Sequence, residues 1–188
     1  MDWTTLIATL GGAAIAFTGT LLADFLRHRN ERDRGQEARS RDLYIQFIVA
    51  AGICHTRLRE IAQSADQHAN REIDSRSALA EARIYEIRER LFIDAAPAVA
   101  AAGQIMFERL RAMRKVVANG ASLTSPELHE SYHPYLEAVW NYRAAVREEL
   151  KNKSLSLSDF GWPVWNGSTT CSVCLSIAQS KAPARTSP

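Results

Sequence analysis

Two short runs hold the residues best suited to chemistry. His129 and His133 stand four apart in His129-Glu130-Ser131-Tyr132-His133, a spacing that puts both imidazoles on one face of a helix. Cys171 and Cys174 form a C-x-x-C pair further on. Imidazole nitrogen and thiolate sulfur are zinc donors, and two of each complete a four-ligand structural site. The cysteine pair, however, lies in a stretch without helical period, so free thiols and no cofactor are the expectation, with zinc the alternative.

The run from His129 to His133 resembles the H-E-x-x-H signature that zinc-dependent metallopeptidases carry on a helix. That resemblance implies His129 and His133 as ligands and Glu130 as the base for a metal-bound water. It covers five residues only. Pro134 follows directly and disfavours helical geometry at His133. No third histidine follows at the metzincin spacing, no strand is available to align a peptide, and Glu148 and Glu149 lie in no second motif. The match is therefore read as a chance one. The order two His then two Cys also resembles the zinc-binding domain of retroviral integrases, but 37 residues separate the pairs, longer than that pattern allows. No Ser-His-Asp ordering, phosphate loop or dinucleotide fingerprint is present.

The elements that would position these groups begin with Trp3–Ala23, 21 residues without a charge. As a helix the stretch reaches about 31 Å, the thickness of a hydrocarbon core. It reads as a transmembrane anchor within residues 1–26. Arginines 27, 29, 32, 34, 39 and 41 all follow it, which places the C-terminal body in the cytoplasm and the short N-terminus outside. A cleaved signal peptide would need a positive start, and only Met1-Asp2 precedes the apolar run. Ala8, Gly12, Ala16 and Thr20, with Gly19 beside them, form a small-residue face on which two such helices can associate in lipid.

Residues 27–42 mix six arginines with four acids and read as a solvated helical stalk. The net charge of the chain is only +2, and the basic run has no aromatic interleaving, so a nucleic-acid partner is not expected. Three cysteines, an odd number, imply no disulfide framework.

Within 43–152 the apolar spacing is that of bundle helices. The first seam is Tyr44, Phe47, Ala51, Cys54, Leu58, Ile61 and Ala65, and its helix can join the stalk without a break. A second helix, about 77–93, follows through Ala80, Ile84, Ile87 and Leu91. A third reaches about 118 through Val99, Ala102, Met106, Leu110, Met113 and Val117. Asp94 is its expected cap, and its first half is made of small side chains that allow a close neighbour. Asn119-Gly120 stops it. Thr124-Ser125-Pro126-Glu127 opens a fourth, which Pro134 interrupts or restarts. Residues 153–188 read as a largely flexible tail whose Trp162 and Trp165 could dock on the bundle or a membrane.

The expected fold is all-α: a transmembrane helix, a charged stalk, a small antiparallel bundle and a flexible tail. The expected function is non-enzymatic, a single-pass membrane protein presenting its bundle to an unknown protein partner or to a second copy. A membrane-anchored zinc peptidase is the alternative.

Overall fold

The computed structural model describes the backbone of residues 3–64 and 70–181, and side chains within 27–31, 34–64 and 70–179. The described residues are all-helical, without strands. Six α-helices run in the order α1 Trp3–Gln63, α2 Arg71–Glu81, α3 Ile84–Asp94, α4 Pro97–Ala118, α5 Pro126–Glu149 and α6 Ser172–Lys181. The chain divides into two compact units, residues 1–41 and Asp42 onward.

In the first unit the stalk residues are helical, as part of α1, and they are mostly exposed. Arg27 pairs with Glu31 at 3.1 Å and Arg41 with Glu37 at 3.7 Å, each one turn apart. Such exposed pairs contribute about 0.3–0.5 kcal/mol each. Among the described residues no helix is long and apolar enough to cross a membrane. The described residues therefore do not support the expected span. The side chains of Trp3–Ala23, including the small-residue face of Ala8, Gly12, Ala16, Gly19 and Thr20, lie outside them.

The second unit is built on the expected first seam. Tyr44, Phe47, Ala51, Cys54, Leu58 and Ile61 are all buried. The phenols of α5 tie α1 down, Tyr135 donating to the carbonyl of Ala51 at 3.2 Å and Tyr142 to that of Tyr44 at 3.1 Å. Rising numbers on one helix meet falling numbers on the other, so α1 and α5 are antiparallel. The small residues of α4 do admit close neighbours. At Gly103 a side chain would collide with Leu91 and press on Phe47 and Tyr142.

The expected second helix is two helices. Arg83 between them has φ 53°, and a left-handed residue breaks the hydrogen-bond ladder. The break re-phases the apolar face, so Ala78 and Leu79 are buried while Ala80 is exposed. The bidentate pairing of Arg83 with Glu86, at 2.6–2.9 Å, accompanies this turn. Caps shift as well. Asn70 caps α2, accepting from the amide of Ile73 at 3.3 Å, and Ala96 rather than Asp94 precedes α4. Ser125 caps α5 through the amide of Leu128, with Pro126 at the first helical position. Gly120, at φ 100°, supplies the stop after α4 that a residue with a side chain would resist.

Pro134 neither interrupts nor restarts α5, which is continuous through it. Proline has no N–H for the carbonyl of Glu130, at a cost of about 3 kcal/mol. Burial of Tyr135, Ala138, Val139 and Tyr142 just beyond it offsets that cost.

The tail is ordered where a largely flexible one was expected, and its two tryptophans take the bundle, one of the docking places expected for them. A 3-10 turn at Leu157–Phe160, a second at Ser168–Thr170 and then α6 follow α5, and this strap packs back onto it. The anchor is aromatic: Trp165 stacks on Trp140 of α5 at 4.3 Å between centroids, and Trp162 meets Trp140 edge-on at 5.2 Å. Arg143 lies over the Trp140 ring at 4.6 Å. Aromatic pairs of this kind contribute about 0.5–1.5 kcal/mol beyond the area they bury.

Candidate metal centre

The strap brings the two ends of the chemistry together. His129 and His133 lie one turn apart on the unbroken α5, and Trp140, two turns beyond His133, holds the strap against the same helix. After that anchor the chain turns at Gly167, whose φ of 66° favours glycine. The side chain of Asn166 accepts from the amide of Ser168 at 3.0 Å, which tightens the bend. Cys171 then sits immediately before α6, its carbonyl accepting from Leu175, and Cys174 lies in the first turn.

One donor atom from each of His129, His133, Cys171 and Cys174 lies within 4.8 Å of all the others. A tetrahedral zinc ion with bonds of about 2.0–2.3 Å needs separations of roughly 3.3–3.8 Å. The four groups stand about 1 Å or less outside that limit. Burial differs across the set: His133 is 7 % exposed, while His129 and both thiols are half-buried.

Hydrogen bonds to the backbone orient both imidazoles. The Nε2–H of His129 donates to the carbonyl of Leu123 at 2.9 Å, leaving Nδ1 with its lone pair to accept from the thiol of Cys171 at 3.2 Å. His133 is turned the other way, its Nδ1–H donating to the carbonyl of Asn166 at 2.6 Å. Its Nε2 is buried without a partner. A carbonyl on the far nitrogen is how ligating histidines are usually held. Burial pushes the Cys174 thiol up, reinforced by its hydrogen bond to Cys171 and by the charges of Cys171 and Glu130.

The sequence marked all four of these residues, and the structure collects them. It does not add Glu130 to the cluster: that side chain is exposed on α5. Sequence reasoning missed the parts that hold the site. Leu123 and Asn166 act through main-chain carbonyls, which carry no residue signature. The role of Trp140 was signalled only by the density of Trp and Phe between 140 and 165.

A second polar group lies beside the site. His55 of α1 stacks between Tyr132 and Tyr135 at 5.4 and 5.2 Å. Burial, with help from the Arg59 charge, lowers its pKa to about 4. It is a half-buried histidine, neutral at ordinary pH.

Comparison with known proteins returns no matching family model, no matching curated protein and no matching solved structure.

Proposed function

We propose that this chain is a non-enzymatic, membrane-tethered helical protein whose body is a docking module, with a second copy of itself as the partner. The observation that carries the reading is on α1. Its inner face fills the core, yet its outer face is apolar too: Ile45 is 53 % exposed, Val49 52 % and Ile53 54 %. These residues recur every four positions along one stripe. Beside it lies α3, whose Arg90 bonds to Gln46 at 3.2 Å and whose Phe92 and Ile93 are exposed, Ile93 by 79 %. A helix apolar on both faces calls for a partner on each.

The uncharged Trp3–Ala23 at the start of the same helix supports tethering, with the body on the cytoplasmic side where the six arginines lie. Copies held in one bilayer meet at a high effective concentration, so a modest apolar stripe suffices for pairing. The small-residue face of Ala8, Gly12, Ala16, Gly19 and Thr20 would extend that contact into lipid.

The test is photo-crosslinking from position 49 of the full-length chain in membranes. A dimer band is expected, reduced at least several-fold by Ile45→Glu with Ile53→Glu. A chain found in the soluble fraction, or crosslinking to other proteins alone, would end this reading.

The peptidase alternative has one observation in its favour, the unbroken helix through His129 and His133. Against it, Cys171 and Cys174 occupy the positions a substrate water would need, and Glu130 stands outside the cluster.

A further inference from the structure

We infer that His129 Nδ1, His133 Nε2, Cys171 Sγ and Cys174 Sγ bind a single structural Zn²⁺ that clamps the C-terminal strap onto α5. This goes beyond the docking role and does not rest on it. Four observations converge. The four donors meet within 4.8 Å although 37 residues separate the pairs in sequence. Each imidazole has its far nitrogen committed to a main-chain carbonyl, and these commitments point opposite nitrogens at one spot: Nδ1 from His129, Nε2 from His133.

The third is an unmet need. Nε2 of His133 is buried with no partner, and an orphaned buried acceptor is destabilising. A bound cation is the partner that would satisfy it. The fourth is chemical type. Two neutral imidazoles and two thiolates are a borderline-soft, all-N/S set, which suits Zn²⁺ and excludes Mg²⁺ and Ca²⁺ as preferred occupants. The two thiolate charges cancel the ion's own, so a neutral unit sits against the bundle.

On binding, the hydrated ion gives up its waters. Two Zn–N and two Zn–S bonds form, and the two thiol protons pass to solvent; no oxidant or reductant takes part. Four protein ligands close the coordination sphere, so the role is to hold chain rather than to activate water. The clamp and the aromatic anchor at Trp140 then grip the strap at two points along α5. Loop-closure entropy grows only slowly with length, so the 37 residues between the pairs are no bar to a structural zinc site.

The experiment uses the full chain, extracted in detergent and purified without a metal-affinity step. Elemental analysis is expected to give about one zinc per chain. After removal of zinc, titration with Co²⁺ is expected to give the intense d–d absorption of a tetrahedral N₂S₂ site with thiolate charge-transfer bands. Cys171→Ser with Cys174→Ser should lose the metal at unchanged helical circular dichroism, because the bundle core does not include the strap. His133→Ala should lose it too, whereas Glu130→Gln should retain it. Wild-type chain that carries no zinc and gives only the weak octahedral cobalt spectrum would overturn the assignment. So would zinc retained by the double cysteine variant.

Discussion

The three cysteines fall in two regions that treat the same side chain in opposite ways. Cys54 lies in the bundle core, fully buried, its thiol 3.5 Å from the carbonyl of Ala78 as donor, and burial pushes it up to about 12. Cys171 and Cys174 are half-buried in the strap and face two imidazoles whose lone pairs converge on them. In the core, apolar neighbours make the thiol a small hydrophobe. In the strap, two imidazole nitrogens stand around each thiol, a setting of metal-binding groups rather than of apolar volume. Residue type set neither fate; the surrounding atoms did.

The contrast is sharpest in what each region rests on. The core rests on packed apolar volume, so Phe47→Ala, which removes a ring packed against Tyr142 and Gly103, is expected to cost about 3–5 kcal/mol. Urea unfolding of the metal-free chain measures this. The variant should still bind cobalt under native conditions, because no core residue is a ligand; loss of both together would make core and strap one cooperative unit and break the comparison.

Thiol labelling separates the regions next. A pKa near 12 against an ordinary 9 leaves Cys54 about a thousandfold less thiolate. With zinc removed, Cys171 and Cys174 should react with a disulfide reagent while Cys54 stays silent until the bundle unfolds; three equivalent thiols in the native chain would contradict this.

The smallest effect is on pH. His55 is held neutral in the folded bundle, with a pKa of about 4 against 6.5 for an ordinary histidine. Between those values the unfolded chain binds the extra proton, so stability from this group is intact above pH 6.5 and falls as pH drops to about 4. The full linkage is about 3 kcal/mol, and solvent at the open side of the ring reduces the expected loss to roughly 1–2 kcal/mol. Tyr132, Tyr135 and Arg59 are the groups facing it. Metal-free wild type and His55→Gln, compared by unfolding across this range, should differ in slope by that amount; parallel profiles would count against it.

Much of the bundle was legible residue by residue. The seam from Tyr44 to Ile61, the caps around Ser125 and the stop at Gly120 are local signals, and each is where the spacing put it. Ala80 was misplaced because a left-handed Arg83 resets the helical phase, and arginine gives no warning of such a turn. Pro134 was misjudged because its local penalty is outweighed by burial of residues beyond it, a sum that only packing supplies. The strap was read as flexible because serine, glycine and proline do lack a period. Its order comes from Trp140 on another element.

The amino-acid sequence by itself determined most of the bundle's helical stretches and inward faces, because a helix is written in contacts three and four residues apart; α6 and the break at Arg83 carry no such pattern. The four-residue spacing offered two histidines a shared face, and packing beyond Pro134 kept the helix that realises it. Only the tertiary structure decided that two thiols would join them, since a meeting across 37 residues depends on where α5 and the strap are anchored and leaves no local pattern.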